Sequence, residues 1–177
     1  HRLSLSTGIY MDAFTAGDPK NLAIIFLHGF PESHRTWRHQ IAHFSDRFYC
    51  SAPDQRGYRG TSKPQEVEAY TADKLTADIF ALADALNVQQ FVIAGHDWGG
   101  AIAWSVALNG QPDAPNPAWA GRVRRAVIAN APHPYLFQRL LITDMNQRAS
   151  SQYMIDFRDT ANDALVQDQG LTGLMLK

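Results

Sequence analysis

The chain has 177 residues, of which 45% are hydrophobic and 19% charged, and its formal net charge is −1 at pH 7. This is a typical composition for a globular protein that buries a substantial core. The near-neutral charge argues against nucleic acid or an anionic membrane as the main partner. No apolar run approaches the length of about 18 residues that a membrane-spanning helix requires. Cys50 is the single cysteine of the sequence, so it cannot form a disulfide within these residues.

Apolar runs alternate with helical patterns along most of the chain. Weak alternation predicts an opening hairpin, and continuous apolar runs predict four buried strands. The hairpin and strands lie at residues 3–14, 22–27, 48–52, 91–94 and 123–129. The helices predicted between the strands lie at residues 33–44, at 72–86 with Thr71 as a cap, and at 101–108. This order predicts a parallel α/β sheet with ligands beyond the C-terminal ends of its strands.

The last part of the chain has a different pattern. Residues 111–121 contain three prolines and predict a loop, which we expect to be a structural excursion with no catalytic role. From Tyr135 onward the pattern is helical, and no further strand is predicted. The sequence therefore divides into an α/β unit at residues 1–133 and a helical unit at residues 134–177.

The segment Gly95-His96-Asp97-Trp98-Gly99-Gly100, here called the elbow, separates a predicted strand from a predicted helix. Its Gly-x-Asp-x-Gly spacing is that of a nucleophile elbow, with Asp97 where serine hydrolases place serine. Such a turn holds its central residue in a strained backbone conformation at the N-terminus of the next helix. A carboxylate in that position can attack carbon and form a covalent ester. The alternative is that Asp97 only caps the helix and that the glycines shape the turn.

Three other unusual loops follow predicted strands. They are His28-Gly29-Phe30-Pro31, the Gly- and Pro-rich segment 54–62, and Asn130-Ala131-Pro132-His133-Pro134. The C-terminal ends of parallel strands lie at one edge of a sheet, so these loops and the elbow are expected to converge there.

The elbow and these loops, including Asp54-Gln55-Arg56-Gly57-Tyr58 with Ser62, together resemble motifs of the α/β-hydrolase fold family. The resemblance is to its epoxide hydrolase-like branch, which has an aspartate nucleophile, and it covers essentially the whole chain. It implies an α/β-hydrolase fold with a mostly parallel sheet and flanking helices, followed from residue 134 by the start of a helical cap. Members of the family are longer, so the chain is expected to be the N-terminal part of a larger enzyme. The histidine and acid of the triad would lie beyond residue 177.

The resemblance also implies a role for individual residues. Asp97 would open an epoxide to a vicinal diol through an ester, and the backbone amides of Phe30 and Trp98 would form the oxyanion hole. Tyr153 matches a cap tyrosine that donates a proton to the epoxide oxygen; the alternative is an ordinary tyrosine that covers the core. The residues expected around the substrate pocket are His28, Pro31, Trp98 and His133. Arg59 stands where relatives often have glycine, which would alter the mouth of the site.

Two other functions stay open at this point. Haloalkane and haloacid dehalogenases share the elbow and the ester, but Phe30 has no polar side-chain donor for a halide, whereas the indole of Trp98 does. A non-catalytic hydrolase-like binding module is the third hypothesis. The epoxide hydrolase hypothesis implies a small-molecule epoxide and water as partners, no nucleic acid and no membrane span. It also implies no cofactor and no metal; a homodimer and a cytoplasmic location are further expectations.

Overall fold

Six strands form one sheet in the computed structural model, which describes residues 1–159, 162–164, 166–168 and 170. The strands are β1 (Arg2–Ser4), β2 (Tyr10–Ala16), β3 (Ala23–Leu27), β4 (Tyr49–Pro53), β5 (Phe91–His96) and β6 (Val123–Ala129). Their spatial order is β1-β2-β4-β3-β5-β6. The last four in this order pair in parallel, whereas β2 is antiparallel to both β1 and β4. The predicted hairpin and parallel α/β sheet are therefore confirmed.

Helices follow the strands much as the sequence predicts. They are α1 (Arg38–Phe44), α2 (Ala72–Ala85), α3 (Trp98–Asn109), α4 (Pro134–Thr143), α5 (Met145–Ser150) and α6 (Gln152–Asp156). Short 3-10 turns at His34–Trp37 and Val67–Tyr70 precede α1 and α2. The prediction of one helix over residues 33–44 is thus wrong in detail, because its first turn is the 3-10 turn that Ser33 caps.

The predicted cap of α2 also differs in detail. Thr71 occupies the N-cap position in an extended conformation, but its side chain makes no capping hydrogen bond to α2. Its hydroxyl instead donates to the carbonyl of Glu68 in the preceding 3-10 turn, at 3.4 Å. The same side chain also hydrogen-bonds the Asp73 carboxylate in the first turn of α2, which lowers the pKa of Asp73.

Strand β3 is buried on both faces of the sheet, as its apolar run predicts. Successive side chains of a strand point to opposite faces. Ile25 and Leu27 therefore join one core cluster, which includes side chains of α2 and α3. Ile24 and Phe26 join the other cluster together with Ile41 of α1. The end of β3, where the His28 loop begins, is consequently anchored from both sides.

The chain divides into two compact units, His1–Pro132 and His133–Lys177. The first unit holds the sheet and helices α1 to α3, and the second holds α4 to α6. This division lies one residue before the predicted boundary, and that the second unit begins a cap stays a prediction. Within the described ranges, no helix is long and apolar enough to cross a bilayer.

The predicted loop at residues 111–121 packs onto α2. The Trp119 ring stacks on Phe80 with 4.6 Å between centroids and 4° between planes. Directly after the loop, Arg122 donates to the carbonyl of Val88 at 2.7 Å and pairs with Asp84 at 2.7 Å. The loop connects α3 to the start of β6, whereas the elbow lies at the other ends of the parallel strands.

A buried ion pair fixes the loop after β4 to helix α2. Arg56 donates from Nε and Nη2 to the two carboxylate oxygens of Asp78, at 2.8 and 2.7 Å. Both side chains are buried, with 6% and 1% of their surface exposed. Arg56 also donates to the carbonyl of Ala69 at 2.6 Å, and the Thr7 hydroxyl donates to Asp78 at 2.6 Å. The two charges are therefore compensated by several hydrogen bonds, as burial requires.

We expect Asp78→Ala to lower the free energy of unfolding by about 3–5 kcal/mol, because the buried Arg56 guanidinium would lose its counter-charge. Urea denaturation of the full-length protein measures this. Asp46→Ala is the matched control, since it breaks an exposed ion pair with Arg47 and should have little effect. Equal, small effects of the two substitutions would contradict a stabilising role for the buried pair.

Candidate active site

Asp97 lies at the turn from β5 into α3 with φ 53° and ψ −121°. A non-glycine residue with positive φ is uncommon and marks a strained position. The turn is held by the sheet and the helix, because the Asp97 amide donates to the carbonyl of Ala129 and the Ala101 amide donates to the carbonyl of Asp97, both at 3.0 Å. The predicted strand–turn–helix geometry of the elbow is confirmed.

The start of α3 lies directly against the end of β3. A side chain at Gly99 would overlap the carbonyl oxygens of Leu27 and His28. Glycine at this position therefore allows the elbow to approach the loop that follows β3, which is residues 28–31 and is called the oxyanion loop below.

The Asp97 carboxylate is held by the oxyanion loop. The Phe30 amide donates to Asp97 Oδ1 at 2.9 Å, whereas the Asp97 side chain makes no capping hydrogen bond to α3. This geometry speaks against the alternative that Asp97 only caps the helix. At Gly29, an added Cβ would lie 2.7 Å from Asp97 Cβ, so the loop and the nucleophile are in close contact. An amide that binds a carboxylate oxygen here can also bind the oxyanion of an attacked ester.

Glu32 and His96 form a contact that the sequence motifs do not reveal. Glu32 Oε2 accepts the Gly29 amide at 2.9 Å and lies 3.2 Å from His96 Nδ1. Both side chains are about one-third exposed, at 31% and 34%. The carboxylate therefore joins the oxyanion loop to His96, the residue before Asp97. In the sequence, the one hint of this contact is that each residue adjoins a motif residue: Glu32 follows Pro31, and His96 precedes Asp97.

His28 is fully buried and both of its ring nitrogens have partners. Nε2 lies 3.1 Å from the Gln55 amide, which can only donate, so Nε2 carries no proton. Nδ1 therefore holds the proton and donates it to the carbonyl of Gly29 at 2.8 Å. Burial lowers the pKa of His28 below its ordinary value of 6.5, which keeps the ring neutral. His28 thus fixes the oxyanion loop, and its predicted place around the substrate stays a prediction.

Tyr58, which the sequence analysis named within a motif but gave no role, also lies near Asp97. Its ring packs edge-on against His28, with 4.6 Å between centroids. Burial, and then the negative charge of Asp97, raise the pKa of Tyr58 to about 12. The Tyr58 phenol is therefore neutral and lies close enough to Asp97 to be affected by its charge.

The remaining predicted site residues lie at more exposed positions. Trp98 begins α3 and is 40% exposed, and Phe30 is 39% exposed. Pro31 is exposed and follows a cis peptide bond. In the second unit, His133 takes the N-cap position of α4, and Tyr153 lies in α6 with its ring against Phe157. Within the described residues, no cluster of three or more histidine, cysteine or acidic side chains could hold a metal ion.

Comparison with known proteins assigns the family. A family model for the α/β-hydrolase fold matches residues 23–169. Epoxide hydrolase A of Mycobacterium tuberculosis is 42% identical over 108 residues, which are 60% of this chain and 34% of that protein. A solved structure of a novel epoxide hydrolase of the α/β-hydrolase superfamily, from metagenomes of hot environments, is 62% identical to this chain. The two superpose with a TM-score of 0.92, and the alignment covers 99% of this chain and 56% of the other.

A third similar protein is a Bacillus megaterium epoxide hydrolase variant, with 32% identity, a TM-score of 0.86 and coverage of 98% and 57% of the two chains. The chain therefore belongs to the α/β-hydrolase fold family, in its epoxide hydrolase-like branch. It spans about a third of the length of the curated relatives that it matches first.

The neutral state of His28 predicts a pH dependence of stability. Because its pKa is lowered in the folded state, the unfolded chain binds a proton first as the pH falls. The stabilisation is complete above the unfolded pKa of about 6.5 and is lost as the pH falls through the lower folded pKa. NMR titration of the His28 ring should give a midpoint below 6.5. A midpoint at or above that value would contradict the assigned protonation state.

Proposed function

We propose that the full-length protein hydrolyses epoxides to vicinal diols through a covalent ester of Asp97. The observation that carries this proposal is a carboxylate on a strained elbow, with Oδ1 held by the Phe30 amide at 2.9 Å. The epoxide hydrolases among its relatives support the substrate class. The Bacillus megaterium variant is described in complex with its product, a naphthyloxy-propanediol, which is a vicinal diol.

The first chemical step is attack of an Asp97 carboxylate oxygen on an epoxide carbon. A carbon–oxygen bond of the ring breaks as the ester bond forms, and the electron pair moves to the ring oxygen. That oxygen needs a proton, and Tyr153 is proposed as its donor. The product of this step is a hydroxyalkyl ester of Asp97.

The second step is hydrolysis of the ester. Water attacks the carbonyl carbon, and negative charge develops on the carboxyl oxygen of Asp97 that faces the oxyanion hole. The amides of Phe30 and Trp98 would stabilise this charge, and removal of one such donor costs about 10²–10³ in rate in other enzymes. Collapse of the intermediate releases the diol and restores the Asp97 carboxylate. Of the two protons of the water, one goes to the departing diol oxygen and the other returns to the Tyr153 phenolate that the first step left. The histidine that activates the water is expected beyond residue 177.

The structure suggests how the oxyanion hole is kept in place. Glu32 accepts the Gly29 amide, and His28 donates to the Gly29 carbonyl, so both backbone polar groups of Gly29, the residue before Phe30, are held. A preformed donor needs no reorganisation when charge develops, which is the basis of electrostatic stabilisation. The Phe30 amide is therefore well suited to the second step.

Dehalogenation is the second candidate, because the indole of Trp98 is 40% exposed next to Asp97 and can donate to a halide. Phe30 offers no second side-chain donor, so the epoxide remains the better substrate in this proposal. The aryloxy group of the Bacillus megaterium product makes an aryl glycidyl ether a suitable test substrate.

We expect kcat/KM of the full-length enzyme to be higher for an aryl glycidyl ether than for the matched aryloxyalkyl bromide. Diol and bromide release are followed in parallel. In oxygen-18 water, a single turnover should place the label in the Asp97 carboxylate, because water attacks the ester carbonyl.

Asp97→Ala should abolish turnover, whereas Asp113→Ala in the 111–121 loop removes a carboxylate far from the elbow and should not. Faster bromide release would assign the chemistry to a dehalogenase. First-turnover label found only in the diol would replace the ester by direct attack of water. No turnover of either substrate would favour a binding module.

We expect Tyr153→Phe to slow alkylation of Asp97 at least about tenfold, since it removes one donor to the departing oxygen. Hydrolysis of the preformed ester should change much less. Stopped-flow measurement separates the two steps, and Tyr10→Phe, an exposed tyrosine of β2, is the matched control. If alkylation keeps its rate in folded Tyr153→Phe enzyme, Tyr153 only covers the core.

A further inference from the structure

A second concave site lies in the first unit, on the side of the sheet formed by β2 and β4. It is an open cleft of about 870 Å³, called the charged cleft here. Its lining includes the side chains of Arg2, Asp12, Phe14, His34, Asp54 and Arg59. Asp97, Phe30 and Trp98 are absent from the described lining, so the charged cleft is distinct from the candidate active site.

Asp54 holds the side chains of His34 and Arg59 in the charged cleft. Its side chain is 4% exposed, and Oδ1 accepts the His34 amide at 2.9 Å. The His34 ring presents Nδ1 to both carboxylate oxygens at 3.0 Å, and Arg59 Nε lies 3.5 Å from Oδ2. Since Asp54 can only accept when ionised, His34 donates from Nδ1 and its Nε2 lies on the opposite side of the ring.

A second carboxylate anchors the other arginine. Arg2 donates from Nε and Nη2 to the two oxygens of Asp12, at 2.8 and 2.9 Å, and from Nη2 to the carbonyl of Gly60 at 3.1 Å. A side chain at Gly60 would clash with this pair. The guanidinium of Arg2 lowers the pKa of Asp12, so the pair stays ionised.

Several donors of the charged cleft remain available to a ligand. Among the described residues, Arg2 Nη1 and both Nη atoms of Arg59 have no hydrogen-bond acceptor. The Asp12 carboxylate contacts Arg2, and the Asp54 carboxylate contacts His34 and Arg59. Guanidinium groups with free N–H donors match the oxygens of carboxylates and phosphates.

The backbone of Arg59 supports a ligand-binding role. Its φ is +45°, in the left-handed region that favours glycine, yet half of its side chain is exposed. An exposed pair at 3.5 Å offers little compensation for such a conformation. Non-glycine residues in this region occur preferentially at ligand sites, where the strain positions a functional group.

The charged cleft also has an apolar wall. Phe14 is 49% exposed and its ring lies parallel to that of His34, with 6.2 Å between centroids and 3° between planes. A ligand that reaches the free donors would pass this aromatic face. We propose that the charged cleft binds an organic anion, with a carboxylate or phosphate group on an aromatic body, at a site separate from Asp97.

The test uses the full-length enzyme and four probes: acetate, benzoate, inorganic phosphate and phenyl phosphate. Binding is followed by NMR through the ring signal of His34, identified by its loss in His34→Gln. Benzoate or phenyl phosphate should shift this signal saturably, with at least about threefold tighter binding than the probe that lacks the ring. The tighter of benzoate and phenyl phosphate shows whether the site prefers a carboxylate or a phosphate.

Arg59→Gly should weaken the aromatic anion at least about fivefold, because it removes charge-assisted donors. Asn87→Gly is the matched control, since Asn87 also has positive φ, at 57°, and lies away from the cleft. Asp97→Asn should leave binding unchanged, which separates this site from the active site. The proposal would be overturned if no probe shifts the His34 signal, or if the aromatic anion binds Arg59→Gly as tightly as it binds the unchanged enzyme.

Discussion

One hydrogen bond, from the Phe30 amide to the Asp97 carboxylate, joins the two halves of the candidate active site. It joins residues that are 67 positions apart in the sequence. Neither partner is held by this bond alone, because Asp97 is fixed by β5, β6 and α3, and the oxyanion loop by His28 and Glu32. The bond therefore reports the fit between two parts of the sheet edge that are positioned independently.

Buried polar groups near this bond join the loops to one another and to α2 by hydrogen bonds. Gln55 donates twice to His28, from its backbone amide to Nε2 and from its side-chain amide to the carbonyl, the second at 2.6 Å. Arg56 joins the same loop to α2. Each of these three donors has an acceptor at hydrogen-bond distance, which is the condition under which buried polar groups stabilise a fold. A loop edge built in this way can be irregular in backbone and still rigid.

The sequence predicts the strands, the elbow and the family motifs because these depend on local pattern. The apolar run before His28 and the Gly-x-Asp-x-Gly spacing each specify one segment and its neighbour. The contacts of Glu32 with His96, and of Asp54 with His34, depend on how separate loops meet in space, so no spacing rule reveals them. The Thr71 side chain shows the same limit at short range, since it hydrogen-bonds both the preceding 3-10 turn and Asp73 in the first turn of α2.

The hydrogen bond from the Asp97 amide to the carbonyl of Ala129 makes Asp97 part of the β5–β6 ladder. A strained residue in a free loop relaxes whenever the loop opens. Relaxation of Asp97 requires a break in the pairing of β5 with β6 at this position, so the strained backbone lasts as long as the end of that ladder stays closed. Under the proposed mechanism, each new substrate would then meet a carboxylate that is already in position.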